Sequence, residues 1–380
     1  MKNNGEKVFT YFSTFTGIGG FEVGIHNAYR ATVGGSESNQ EKSNGFWSRL
    51  FSTKRKSASS AQGSTGPGNH DGSDQRPLCV GYSEIDTFAS SVYEKHFKGV
   101  KNYGDITKIN AEELPDFDCL VGGFPCQAFS IAGKRAGFAD TRGTLFFDLA
   151  RILKAKQPRL FVFENVKGIL SHDNGNTIKT IISACDELGY DLQWQVLNSK
   201  NFGVPQNRER IIIVGHFRGS TRPEIFPITG SNSNHIREIT RSVPQAQRVY
   251  DESGIAPSVD TGGGGNRQAK IIQRPRGKNA GNIHEISPTV TVNSFQDNNH
   301  IVEFPDFKLR KLTPRECERL QAFPDNWTEY GVEHYTDNHG MLQERLKPMS
   351  DTQRYKMAGN AVTTNVVQAV FERIFDERRI

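Results

Sequence analysis

Short apolar runs bounded by glycine or polar residues recur through the first half of the chain, at residues 8–12, 78–82, 118–121, 160–163 and 211–214. Runs of that length and composition predict buried strands. Between and after them lie patterns with helical spacing. Leu145, Phe146, Leu149, Ile152 and Leu153 share one helical face, and so do Val362, Val366, Val367, Val370, Phe371 and Ile374 near the C-terminus. Thr313-Pro314-Arg315-Glu316 reads as a capping box with proline in the first turn, so a helix is predicted to start there. Strand and helix alternation argues for a parallel, doubly wound α/β sheet. Such sheets bind ligands beyond the carboxyl ends of their strands.

Two stretches break the pattern. Residues 31–77 are rich in Ser, Gly and charge, with one apolar knot at Phe46, Trp47, Leu50 and Phe51. They predict an inserted, mostly disordered loop, whose basic run Lys54-Arg55-Lys56 reads first as a solvated surface. Residues 217–309 carry many Gly and Pro and a weak internal repeat, GIAPSVDTGGGGNRQAKII against EISPTVTVNSFQDNNHIV. They predict a small, loop-rich β lobe. Three parts follow: a catalytic and cofactor-binding domain over 1–216 with its insertion, a second domain over 217–309, and a segment over 310–380 that returns to the first.

Composition narrows this only slightly. A chain of 380 residues is too long for one small core and suits two lobes. The net charge of +5 fits a partner that carries phosphates, without requiring one. Five cysteines stand at 79, 119, 126, 185 and 317, an odd number with no C-x-x-C pair. A disulfide framework or a metal site is not expected, and a reducing cytoplasm is. No segment approaches the roughly 20 apolar residues needed to span a bilayer, so a soluble protein is expected.

Candidate chemistry clusters at the strand ends. Gly122-Gly123-Phe124-Pro125-Cys126-Gln127 places a cysteine just past a strand, where it could act as a nucleophile if its surroundings favour the thiolate. A lone cysteine is more often a small buried hydrophobe; its company decides. Phe163-Glu164-Asn165-Val166 puts a carboxyl at the next strand end. Arg208 and Arg210 precede the strand at 211–214, at a spacing that points both side chains the same way in an extended segment. Phe15-Thr16-Gly17-Ile18-Gly19-Gly20 forms a glycine turn after the first strand, without the spacing of the dinucleotide fingerprint. Glu84 follows the second strand, where an acid commonly binds ribose hydroxyls, and Gly104-Asp105-Ile106 could offer a carboxylate to an adenine amine.

Taken in order, FTGIGGF, SEID, GDI, GGFPCQAFS, GTLFFDLARIL, FENVKGIL, QNRERIIIVG, AFPDNW and AGNAVTTNV resemble the motifs of the cytosine-5 DNA methyltransferases. The likeness spans about 8–30, 78–217 and 309–375, and its PCQ, ENV and Q-x-R-x-R set is highly specific. It implies a Rossmann-like, doubly wound mixed sheet with a smaller β target-recognition domain over 217–309. It implies S-adenosyl-L-methionine as cofactor, held by Phe15, Gly17, Ile18, Gly19, Gly20, Glu84, Ile85, Asp105, Ile106, Leu145, Asn360 and Ala361. It implies Cys126 as nucleophile with Pro125, Glu164, Asn165, Arg208 and Arg210 around it. It implies a lid over 125–143 and DNA contacts at Gln127, Ser130 and Arg142. Arg248, Arg267 and Lys270 are candidate DNA contacts in the recognition region. Ser258-Val259 and Thr289-Val290 both resemble the family's Thr-Leu dipeptide, and the repeat leaves the choice open. Double-stranded DNA is the expected partner and a monomer the expected state; a restriction endonuclease acting separately is a companion the resemblance allows. A tRNA cytosine-5 methyltransferase of the same fold is the alternative. One departure stands out: the first motif usually opens with an acid where Ser13 stands.

Overall fold

The computed structural model describes residues 8–32, 76–125, 145–220, 223–230 and 312–376, with the backbone of five short strands between 271 and 311. Most of the 31–77 insertion lies outside the described residues, as do Cys126, Gln127, Ser130, Arg142, Arg248, Ser258, Arg267, Lys270 and Thr289.

The chain runs β1 (Thr10–Thr14), α1 (Gly20–Thr32), β2 (Leu78–Ser83), α2 (Thr87–His96), β3 (Cys119–Gly123), α3 (Leu145–Lys156), β4 (Leu160–Val166), α4 (Asn176–Glu187), β5 (Tyr190–Asn198), β6 (Gln206–Asn207) and β7 (Glu209–Phe217). Six of these strands form one sheet in the order β2-β1-β3-β4-β7-β5. β2, β1, β3 and β4 are parallel, whereas β7 runs antiparallel to both β4 and β5. The sheet is therefore mixed. Strand and helix alternation alone suggests parallel strands throughout, and fails at β7 because no α-helix separates it from β5. The strand order reverses between β1 and β3, so a crevice opens past their carboxyl ends.

Both faces of the sheet are covered, which explains the continuous apolar runs in the sequence. Side chains alternate between two cores. Tyr11, Cys119, Val121, Leu160, Val162, Ile212 and Val214 pack with Phe21 and Ile25 of α1. Phe12, Leu120, Phe161, Phe163, Ile211 and Ile213 pack with α3 and α4 on the other side. The outer edge strand β5 is covered through its side chains. Gln193 Nε2 donates to Pro223 O (2.8 Å) while its Oε1 accepts from Ile225 N (3.0 Å), and Gln195 repeats the arrangement on Ile228.

Among residues 271–311, β8 (Ile271–Gln273), β9 (Asn282–His284), β11 (Asn299–Glu303) and β12 (Lys308–Lys311) form a second sheet in the order β12-β11-β8-β9. β10 (Ser287–Pro288) instead pairs with β6. The C-terminal segment begins with α5 (Pro314–Leu320), whose capping box is complete: Glu316 N donates to Thr313 Oγ1 (3.3 Å) and Thr313 N to Glu316 Oε2 (2.7 Å). The hairpin of β13 (Tyr330–Thr336) and β14 (Leu342–Pro348) follows, then α6 (Asp351–Asn360) and α7 (Thr364–Asp376). The apolar stripe of α7, Val366, Val367, Val370, Phe371 and Ile374, closes over α1 in the first core. No helix among the described residues is long and apolar enough to cross a membrane.

Candidate active site

β3 and β4 pair in register, with Gly123 opposite Glu164. A Cβ at Gly123 would lie 3.0 Å from Glu164 Oε2, so a bare backbone lets the carboxylate sit across the end of β3. Glu164 Oε1 is paired with Arg210 Nε at 2.9 Å, and both side chains are largely shielded, at 12% and 17% exposure. At that burial the pair is screened by solvent and salt less than a surface ion pair. The next residue on β4, Asn165, is buried, and its Nδ2 donates to Phe124 O at 2.8 Å. Neighbouring strand residues face opposite ways. Glu164 thus meets Arg210 while Asn165 pins the backbone just before Pro125, which is exposed and leads by sequence to Cys126.

Arg208 and Arg210 do not share a surface. Arg208 is buried, and its guanidinium donates to Gly359 O (3.4 Å) and Ala361 O (2.9 Å) at the end of α6. Burial pushes its pKa down to about 9, with Arg210 adding to the shift and Glu164 opposing it, so it stays charged at neutral pH. The flanking Glu209 pairs with Lys167 at 3.0 Å in the open. β10 lies beside this segment, Ser287 opposite Gln206 and Pro288 opposite Asn207, so the second of the two sequence repeats meets the strand that leads to the arginines.

The expected cofactor residues gather past β1 and β2. Gly17 N donates to Glu84 Oε2 (2.8 Å), and Asp86 N donates to Glu84 Oε1 (2.8 Å). Burial lifts the Glu84 carboxyl above its ordinary range, against the pull of those amides. Asn102 joins Glu84 to the Gly104-Asp105 turn: its Oδ1 accepts from Glu84 N (3.2 Å) and Gly104 N (2.9 Å). Asp105 caps the short turn after it, and hydrogen bonds from Thr107 hold its carboxyl below the usual range. Phe15 is half-buried at φ +50°, a left-handed conformation that costs strain in a non-glycine residue. Phe15 and Leu145 both pack at the margin of the second core. Ile18 and Ile106 are instead buried, whereas Ile85 is 73% exposed. Asn360 is exposed at the end of α6, next to buried Ala361.

Three residues in this region carry contacts that the sequence patterns did not single out. They are Asn102, buried Glu22, and Trp327, whose indole reaches the Ile18 carbonyl at 2.8 Å. Only Trp327 had a usable signal, as a lone tryptophan inside AFPDNW.

The family model described as C-5 cytosine-specific DNA methylase matches residues 74–376. The Type II methyltransferase M1.ScrFI of Lactococcus lactis subsp. cremoris is 39% identical over 303 residues, 77% of this chain and 71% of that protein. The Type II methyltransferase M.HpaII of Haemophilus parainfluenzae is 36% identical over 334 residues, 79% of this chain and 83% of that protein. Among solved structures, the crystal structure of S. pombe Dnmt2 methyltransferase superposes with a TM-score of 0.57 over 98% of this chain and 100% of that one, at 14% identity, a likeness of fold alone.

Proposed function

Since the chain belongs to the C-5 cytosine-specific DNA methylase family and is a DNA (cytosine-5-)-methyltransferase, we propose that it takes its methyl group from S-adenosyl-L-methionine and works through a covalent Cys126 adduct. The observation that carries this reading is the shielded Glu164–Arg210 pair, seated at the end of the strand that leads into Pro125-Cys126. A tRNA substrate is not favoured, because the matching family is one of DNA methylases and the relatives above are Type II enzymes.

The donor set suits the cofactor. Glu84 offers a carboxylate for a ribose diol, Asp105 a second for an adenine amine, and Phe15 and Leu145 apolar surface for the ring. At Gly17, φ is +56° and an added Cβ would meet nothing within 4 Å, so the turn faces open space where a ligand could approach the backbone. When bound, S-adenosylmethionine supplies an electrophilic methyl on a sulfonium centre.

Carbon 5 of cytosine is a poor nucleophile until the ring is made electron-rich. The Cys126 thiolate forms a bond to carbon 6, and the 5,6 electron pair moves toward carbon 5. Carrying a proton when the base is bound, Glu164 donates to ring nitrogen 3 and accepts from the exocyclic amine, and Arg210, paired with Glu164, holds the base or its phosphate. Asn165 steadies the backbone that carries Cys126, through Phe124 O. Arg208 acts at one remove, keeping Gly359 and Ala361 in place on either side of Asn360. After the methyl is on carbon 5, loss of the carbon-5 proton expels Cys126 and restores the ring. The target must leave the stack, at a cost of a few kcal/mol. Gln127, Ser130 and Arg142 are assigned to the lid that replaces it, and residues 217–309, with Arg248, Ser258 or Thr289, to recognition of the site. Protection of DNA against a restriction endonuclease is the role that fits a Type II relative.

Bisulfite sequencing of DNA from cells expressing the chain tests this reading. Protected cytosines in one fixed context are expected, and none with Cys126→Ser. Protection that survives the substitution contradicts the mechanism.

A further inference from the structure

Trp327 joins the C-terminal segment to the turn assigned to the cofactor. It lies between α5 and β13, remote in sequence from residues 17–20. Its Nε1–H donates to the Ile18 carbonyl at 2.8 Å. Its ring stacks on His96, with centroids 3.6 Å apart and planes within 3°. Since a carbonyl can only accept, His96 Nε2–H is the donor to Trp327 O, also at 2.8 Å. Burial lowers the His96 pKa to about 4, so the stack keeps a neutral imidazole at neutral pH. The indole is thus fixed by stacking and its backbone by a hydrogen bond, both from the last turn of α2.

The turn itself is held from two sides. Glu84 takes the Gly17 amide, and Trp327 takes the Ile18 carbonyl of the next residue. Ile18 is fully buried, in a cluster with Ala89, Val92, Phe323 and Met357, with Trp327 packed beside it. A rotation of the peptide after Ile18 would break the Trp327 bond in an apolar setting, where a carbonyl has no water to turn to. The orientation of the amides that follow depends on that peptide.

We propose that Trp327 is a positioning residue for cofactor binding: through the Ile18 carbonyl it fixes the 17–20 turn in its binding-competent form. This rests on the S-adenosylmethionine reading above. A role confined to stability would lower the melting temperature and leave cofactor affinity alone.

The test uses the full chain. Calorimetric titration with S-adenosyl-L-methionine is compared for wild type, Trp327→Phe, which keeps a ring but loses the N–H, and His96→Phe, which keeps a stack but loses the tether to Trp327 O. The expected result is a Kd raised about 5- to 10-fold in Trp327→Phe, the size of one lost hydrogen bond to a buried acceptor. The KM for cofactor should rise in step, while kcat at saturating cofactor stays within about twofold. His96→Phe should shift Kd the same way by less. A folded Trp327→Phe with wild-type Kd overturns the proposal. Should that variant fail to fold, an unchanged Kd in His96→Phe overturns it instead. Absence of binding in the wild type would refute the cofactor reading, a separate outcome.

Discussion

Glu22 lies in the first turn of α1 with its side chain fully buried. Tyr93 Oη donates to its Oε1 at 3.3 Å, Ser13 bonds it as well, and Oε2 has no partner. Where the family resemblance expects an acid at position 13, this chain has Ser13, and the carboxyl that faces it comes from α1. Burial lifts the Glu22 pKa to about 7 from its ordinary 4.5, with the Ser13 and Tyr93 bonds opposing. The sign follows directly. The folded state holds a proton that the unfolded chain has released between those two values, so stability is full below pH 4.5 and falls as pH rises through 7. A shift of that size corresponds to about 3 kcal/mol. Glu22→Gln removes the titration. Melting temperatures at pH 5 and pH 8 should differ more in the wild type than in the variant; equal differences would show that Glu22 does not titrate in this window. Sequence spacing cannot reveal such a group, because an acid in the first turn of a helix ordinarily reads as a favourable dipole partner.

At the scale of elements, the two arginines separate what the sequence makes look equivalent. A spacing of two points side chains the same way only along an unbroken strand. Here β6 ends at Asn207 and β7 begins at Glu209, and Arg208 occupies the break, its N–H directed to Gln206 O (3.0 Å) and Asn198 Oδ1 (3.1 Å). Arg208→Met takes the buried donor away from the Gly359 and Ala361 carbonyls and should therefore lower stability by about 1–3 kcal/mol, read from the denaturant midpoint. Arg210→Met should lose most methylation, and its midpoint should fall as well, because the shielded Glu164 carboxylate is left without its partner. Methylation that survives Arg210→Met would contradict the division of labour. Elsewhere the apolar runs marked β2, β3 and β4 closely, because both faces of those strands are buried. They placed β1 two residues early, at 8–12 where the strand spans Thr10–Thr14. They missed β5, whose Gln193 and Gln195 interrupt the apolar run to bind the covering segment. The β13–β14 hairpin was equally hidden, since β14 is exposed along its whole length and leaves no buried face to pattern.

Across the whole molecule, residues distant in sequence close onto one sheet. α7 packs on α1, Arg208 holds the end of α6, and Trp327 reaches the first glycine turn. The order of the motifs was legible from sequence, since several of them, among them the 17–20 turn, Glu84 and Glu164, fall at or near strand ends. Their mutual distances were not, because they depend on strand order rather than chain order. Residues 33–75 join α1 to β2, which are tied directly where His26 Nε2 bonds Pro77 O at 3.2 Å. Deleting residues 36–74 should leave most methylation activity, and an unfolded product would contradict that expectation. The most direct test of the central claim traps the intermediate. DNA carrying 5-fluorocytosine cannot lose its carbon-5 substituent as a proton, so a cycle that begins with Cys126 on carbon 6 must stop at the covalent adduct. Incubated with S-adenosyl-L-methionine and this DNA, the wild type should give a denaturant-stable complex whose digested peptide carries the methylated base on Cys126, and Cys126→Ser should give none. Attachment at another cysteine, or methylation of ordinary DNA by an enzyme that forms no adduct, would contradict the account.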